Sequence, residues 1–413
     1  MKRYKNRTIW GLLLLVIVTS VSCKKFLDRK PLTQSFSDIK AGGLEGRIYG
    51  MYNIIRDYAA FNHLPWIDFN GLRDDDSEKG SDINDGAEIV TEFETFQYTK
   101  DNWATNTYWN DHFYLINEAN FVIDSFKKIE NPDMATIRNA GEACFFAAFS
   151  YFELVKAYGE VPLFNYNITT PQQGIRPKSP VNLIYQFIDS CLQAAVASLP
   201  LTTLEYGPGF EGRLTRGAAN TLWAQTYLFR SDWARVAALC NEVISSNQYE
   251  LLPNFSDIWI DGVRGVGKNS RESIWEAQCF VGENAQSNGA LWKGNYWGTS
   301  QQIRQNGASV EWNLGWGWNV PSDKLESDWP DSDPRKRRTI LYSGEFDGGP
   351  AEGGHGATIP PYTNPDGQGG LAQPFWNKKL YTGNSPRNAS IHRVYQQQWW
   401  RRWLDQSPHF AVC

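Results

Sequence analysis

The stretch Gly141-Glu142-Ala143-Cys144-Phe145-Phe146-Ala147-Ala148-Phe149-Ser150-Tyr151-Phe152-Glu153-Leu154-Val155-Lys156-Ala157-Tyr158-Gly159-Glu160-Val161-Pro162 decides the fold. Ala143, Phe146, Ala147, Ser150, Leu154 and Ala157 recur at helical spacing and alternate small with large side chains. A stripe of that kind suits tight pairing of two helices. Gly159 stands where a C-cap glycine belongs, and Val161-Pro162 forces an extended exit, so the spacing predicts a helix over 135–158.

Similar periodicity extends in both directions. Trp109, Phe113, Ile116, Asn117, Asn120 and Ile123 predict a helix over about 103–128, separated from the first by Pro132. Leu44, Ile48, Met51, Tyr52 and Ile55 predict another over 41–58, and residues 61–102 read as loop-rich. Downstream, Ala218, Ala219, Trp223, Ala224, Tyr227 and Leu228 line one helix. After Arg230-Ser231-Asp232, Trp233, Ala237, Val243 and Ile244 line a second. Small residues against aromatics, a short turn and an antiparallel partner follow tetratricopeptide-like logic, with 181–199 as a preceding partner helix. The strict 34-residue consensus is absent. From Glu272 the character changes. Ser273 to Gln278 alternates like a strand, and residues 282–377 are rich in Gly, Asn, Pro and Trp. The expected fold class is therefore mainly α: a tetratricopeptide-like helix-pair scaffold with a loop-rich, partly irregular C-terminal portion. Its expected parts are a leader over 1–22, a helical domain over 23–260 and the loop-rich portion over 261–413.

At the start of the chain, Lys2, Arg3, Lys5 and Arg7 precede an apolar run from Ile9 to Val18 broken only by Gly11. The run is too short to span a bilayer comfortably and reads as a secretory leader. The small residues before Cys23 read as a bacterial lipobox, whose cysteine is lipidated and becomes the new N-terminus; the alternative is an ordinary leader with a coincidental cysteine. Lipidation would place the chain outside the cytoplasm, held to a membrane by acyl chains.

A chain of 413 residues can hold one large or two ordinary domains. Loss of the four leader cations takes the formal charge from −5 to −9, which argues against nucleic acid and a polybasic membrane surface. No C-x-x-C spacing occurs among the six cysteines, so those after Cys23 read as small buried hydrophobes rather than a disulfide framework or zinc site. The distinctive count is aromatic: 18 Trp, 19 Tyr and 22 Phe. Rings at that density fill cores and also make flat platforms for sugar rings.

The landmarks, in order, resemble the SusD/RagB-like outer-membrane lipoproteins of Bacteroidetes. They begin with Ser22-Cys23-Lys24-Lys25-Phe26-Leu27-Asp28 and Trp109 with Tyr114, Ile116, Ala119, Asn120 and Ile123. Gly141-Glu142-Ala143 follows, then Tyr158-Gly159-Glu160-Val161-Pro162-Leu163, Arg213, Ala218-Ala219, Tyr227-Leu228 and Trp233. Later come Glu272-Ser273-Ile274-Trp275-Glu276, Gly315-Trp316-Gly317 and Asp333-Pro334-Arg335. The resemblance implies a lipid-anchored protein of the outer membrane, exposed at the cell surface. Such a protein binds a nutrient, mostly a glycan, and acts with a SusC-like TonB-dependent barrel transporter. It implies a binding protein rather than an enzyme. The end departs from the family pattern: after Arg387 the chain reads Ile391-His392-Arg393-Val394-Tyr395 and then Trp399-Trp400-Arg401-Arg402-Trp403, so some scaffold helices are expected to be missing. Truncation or a frame error is the leading reading, and a divergent tail the alternative.

Catalytic signatures are sparse. Five scattered histidines show no paired i,i+4 spacing, and neither a G-x-S-x-G elbow nor a Walker loop occurs. Converging carboxylates for glycoside hydrolysis have no address in sequence. A surface-anchored hydrolase and a purely structural helical adaptor are the alternative functions. No cofactor is expected, although Asp74, Asp76, Glu78 and Asp82 space oxygen ligands that could wrap a structural Ca²⁺. The competing reading of that run is a solvated acidic loop. A sugar site needs a flat ring and nearby hydroxyl partners. Trp66, Trp292, Tyr296 and Trp297 fall in loop-like sequence and are the expected platforms, with Asp68, Arg73 and Gln301 as hydroxyl partners. Trp109, Trp223, Trp233 and Trp275 read as core, and Trp316 and Trp318 as packing within the glycine-tryptophan motif.

Overall fold

The computed structural model describes residues 44–86, 90–259, 267–278, 296–305, 311–381 and 383. The chain divides into two compact units, Met1–Gly46 and Arg47–Cys413. Of the first, only residues 44–46 are described, and the architecture is that of the second. Cys23 and Trp292 lie outside the described residues, as do all residues after 383.

The structure is mainly α. Helix α1 (Glu45–Asp57) is followed by two short helices, α2 (Ala59–Asn62) and α3 (Leu64–Asn70). The scaffold is a run of longer ones: α5 (Trp103–Phe126), α6 (Met134–Tyr158), α7 (Val181–Ser198), α8 (Arg216–Phe229) and α9 (Trp233–Ser245), preceded by the single turn α4 (Glu92–Glu94). Each of these long helices packs on the next in sequence, the consecutive pairing expected of a tetratricopeptide-like array. Local chemistry sets the ends. The Asn102 side chain accepts from Ala104 N at the start of α5, and Asp133 accepts from Thr136 N at the start of α6. Gly159 ends α6 at φ 69°, the conformation glycine tolerates best.

Helix α6 is the centre of the core, and its predicted stripe is buried from Ala143 to Leu154, with Ala157 half-buried. Gly141 shows how closely it meets α7: a Cβ there would lie 2.7 Å from the Ser198 Cβ. On its other side the Tyr108 hydroxyl of α5 donates to Glu153 Oε2 at 2.7 Å. A buried ion pair ties α6 to the entry of α8, with Arg213 Nη2 2.5 Å from Glu142 Oε2. Tyr52 of α1 donates to the same carboxylate at 2.6 Å.

Local expectations are corrected in several places. Residues 61–102 contain α2, α3 and strand β1 (Ser77–Gly80), because His63 caps α3 with its ring nitrogen and a proline sits in its first turn. No residue of α9 is buried, and Trp233 is exposed, since nothing described covers that face at the end of the array. Among the described residues, 273–278 show only a β-bridge position at Ala277 rather than a full strand. Trp275 instead packs against Tyr52, Phe145 and Phe146, and its indole donates to Gly212 O at 3.0 Å. Cys240 on α9 is disulfide-bonded, contrary to the thiol expected there, whereas Cys144 and Cys191 are free.

The later portion carries α10 (Tyr296–Gln301), β2 (Trp318–Pro321), α11 (Asp323–Asp328), α12 (Pro334–Thr339), β3 (Ile340–Tyr342) and β4 (Phe375–Asn377). Strand β2 pairs antiparallel with β1, Gly80 opposite Trp318, and β3 pairs antiparallel with β4. Ile303, Trp312, Val320, Leu341, Leu371 and Trp376 belong to a second buried cluster. Loop-rich sequence therefore has its own core, and the β1–β2 pair stitches it to the helical scaffold.

Candidate functional site

An aromatic and charged surface forms where the α2–α3 junction, the start of α5, Arg304 and the turn 315–318 meet. Trp103 is the first residue of α5 and is 42% exposed. Its ring meets His63 edge-on at 5.7 Å, and His63 in turn meets Trp316 at 6.1 Å. Trp316 continues to Trp318 at 5.5 Å, making a chain of four rings. His63 is a neutral linker: its Nδ1 accepts from Leu64 N, and burial pushes its pKa down to about 3. A neutral imidazole keeps the aromatic chain free of charge at any physiological pH.

Beside these rings lies a fixed set of polar groups. The Trp318 indole donates to Asp85 Oδ2 at 3.2 Å, and Ser81 Oγ donates to the same oxygen at 2.8 Å. Arg304 bonds Asp85 through Nη1 and lies 3.3 Å from Asp82 through Nη2. Lys79 Nζ donates to Asp82 O at 2.9 Å. Gly317 sits at φ 72°, and a Cβ there would lie 2.8 Å from both Arg304 and Trp376. The Gly-Trp-Gly turn thus presses its backbone against the second core and leaves the Trp316 ring half-buried at the surface. Flat apolar rings next to a half-exposed guanidinium and carboxylate are the groups a sugar needs: a face for its C–H bonds and partners for its hydroxyls.

Comparison with known proteins agrees with this architecture. Residues 25–228 match the model of a SusD-like family described as "Starch-binding associating with outer membrane". The chain belongs to the SusD-like family. The SusD-like protein P2 of Formosa agariphila is 24% identical over 344 residues, covering 81% of this chain and 64% of that relative. The chain spans about half the length of two further relatives from that organism, 48% and 47%. Among solved structures, a laminarin-binding SusD-like protein superposes with a TM-score of 0.65 at 20% identity, covering 86% of this chain and 76% of that one. Surface glycan-binding protein A of Bacteroides thetaiotaomicron, in complex with laminarihexaose, gives 0.65 at 17% identity, covering 88% and 77%. At that identity the likeness is one of fold.

In this SusD-like chain the residues expected from sequence to bind ligand are mostly placed elsewhere. Trp66 lies on α3 and is buried, stacked on Phe149 and edge-on to Trp297. Trp297 is buried too, its indole 3.4 Å from Phe61 O, so neither ring offers an open face. Of Tyr296 only the backbone, at the start of α10, is described. Arg73 closes the end of α3, donating to Phe69 O at 2.9 and 3.1 Å and to the Tyr98 hydroxyl at 3.2 Å. Gln301 is a cross-brace: its Oε1 accepts from Asn319 at 2.8 Å and Asn377 at 3.1 Å. Asp68 is wholly buried with no hydrogen-bond partner for either oxygen among the described residues, and burial pushes its carboxyl well above the ordinary range.

The acidic run does not converge on an ion. Asp74 accepts from the backbone N of Asp76 and Ser77, and burial raises its pKa to about 6. Glu78 sits on β1, beyond the turn that holds Asp74 and Asp76, and Asp82 is paired with Arg304. Among the described residues no group of three or more His, Cys, Asp or Glu side chains could hold a metal. Sequence reasoning misses Trp103, His63 and Arg304, names Asp85 only as the end of the acidic run, and favours packing for Trp316. One signal points to Trp103: it immediately follows the capping Asn102 and is one position off the buried series Ala104, Tyr108, His112 and Leu115.

Proposed function

We propose that this SusD-like chain is an outer-membrane lipoprotein, anchored through an acylated Cys23, that binds a glycan on the Trp103–His63–Trp316 surface and passes it to a TonB-dependent barrel transporter. Binding, not bond cleavage, is the function proposed. The observation that carries the reading is the row of rings that starts at the half-exposed Trp103, passes the half-buried Trp316 and ends at Trp318, whose indole bonds Asp85 of the Arg304–Asp85 pair. Family membership supports it, as do the fold-level neighbours described as binding laminarin or as a complex with laminarihexaose. The anchor and the transporter rest on the leader sequence and on the family resemblance.

The test is isothermal titration of the full chain with laminarihexaose and with xylogluco-oligosaccharides, beside Trp103→Ala. Loss of one exposed aromatic anchor should weaken binding by roughly tenfold, about 1.4 kcal/mol. The melting temperature should stay that of the parent, because Trp103 is half-exposed at a helix start. Parent-like affinity in Trp103→Ala would remove this surface from the reading. Absence of binding to any soluble glycan by the folded chain would remove the sugar itself.

A further inference from the structure

A second concavity lies further along α5, beyond the helix start that carries Trp103. It is a cavity of about 240 Å³ between α5 and the segment that runs from Pro162 to Gly174, with Trp109, Phe113, Asn117, Phe164 and Gly174 in its wall. The segment is held in place by side chains of α5 and α6. Asn120 Nδ2 donates to Phe164 O at 2.9 Å and Tyr166 O at 3.1 Å, and Ile168 N donates to Asn117 Oδ1 at 2.8 Å. Phe164 N donates to the Tyr151 hydroxyl at 2.6 Å, and Asn167 N to Asp124 Oδ2 at 2.9 Å. The cavity is therefore built into the fold and does not require a loop to close over it.

Its chemistry is specific. Trp109 and Phe113, 4.7 Å apart, supply an aromatic wall. Acceptance from Ile168 N fixes the orientation of the Asn117 amide, so the Nδ2 donors of Asn117 are left over, without a protein partner among the described residues. The Trp109 indole N–H is likewise without a partner among them. All nine lining residues are uncharged. The volume lies below the ~300–1,000 Å³ of sites for drug-sized molecules, which restricts an occupant to about one ring.

We propose that this cavity is a second carbohydrate subsite that takes a single neutral pyranose residue, packed against the Trp109–Phe113 wall with a hydroxyl accepting from Asn117 Nδ2. The proposal rests on the carbohydrate-binding reading but on a different surface, so the two can fail separately. A chain with both sites would hold a branched or long glycan at two points along α5.

Gly174 provides the test. A Cβ there would meet only Ile168 Cγ2, at 3.9 Å, and its φ is not positive, so Gly174→Leu should fill the cavity without strain. The experiment is saturation-transfer difference NMR on the full chain with methyl glycosides of glucose, galactose, mannose and xylose, and with glucuronate as the charged control. The parent and Trp103→Ala should both show saturation transfer to at least one neutral glycoside. Gly174→Leu in the Trp103→Ala background should lose it at an unchanged melting temperature, and glucuronate should show none. Persistence of the signal in that double variant would overturn the subsite. So would its loss in Trp103→Ala alone, or equal saturation of glucuronate. No transfer to any neutral glycoside, with laminarihexaose still binding the parent, would overturn the subsite and leave the first surface standing.

Discussion

Replacing Asp68 with Asn should change how stability depends on pH, and the size of the change follows from burial. The carboxyl is 0% exposed, and neither oxygen has a partner among the described residues, so desolvation holds its folded-state pKa well above the ordinary value. In the unfolded chain it ionises near pH 4. Folding therefore takes up a proton above that pH, and stability falls as pH rises until the folded-state carboxyl itself ionises. Each pH unit in that window costs about 1.4 kcal/mol, so the parent should lose stability relative to Asp68→Asn as pH rises above the unfolded-state value. Asp74 and Asp111, both raised to about 6 by burial, titrate alike in the two proteins and cancel in the difference. Urea denaturation at half-unit pH steps reads that difference directly. Parallel profiles would refute the reasoning, because they would mean that water or a partner reaches Asp68 in the folded chain, as its ligand-binding reading requires.

Arg213→Ala strands the Glu142 carboxylate in the core with only the Tyr52 and Tyr206 hydroxyls to solvate it. It should cost about 3–5 kcal/mol in chemical denaturation; a loss below about 1 kcal/mol would show that the pair is not what ties α6 to α8. Gln301→Ala leaves the Asn319 and Asn377 donors without their shared acceptor, at about 1–3 kcal/mol for each group left unpaired. Glycan affinity, measured by titration, should not move in that variant, and a weaker affinity at parental stability would return Gln301 to the binding surface.

Helical spans are legible in the sequence where a periodic stripe faces a neighbouring helix. The predicted spans of α5, α6 and α7 match those observed to within about two residues at each end. Helix α9 shows the limit of the same logic: Trp233 and Ile244 have the spacing of a core stripe, yet both are exposed. Periodicity says that one face is apolar, and says nothing about whether another element arrives to cover it. For the candidate site the weak step is the inference from loop-like sequence to exposure. Trp66 and Trp297 read as loop residues, but one lies on α3 and the other on α10, and they pack against each other across 231 positions of sequence.

The helix-pair scaffold, the capping of α5 and α6 by Asn102 and Asp133, and the close α6–α7 approach at Gly141 are encoded locally, because each depends on neighbours within a turn or on a repeating face. Which aromatic rings meet solvent is a matter of tertiary packing. Trp103, His63 and Trp316 come from three separate segments, and the antiparallel pairing of β1 with β2 is what carries the last of them to the others. Whether a tryptophan is core or platform depends on which groups cover its two faces, and those groups are set by long-range contacts that no local pattern encodes.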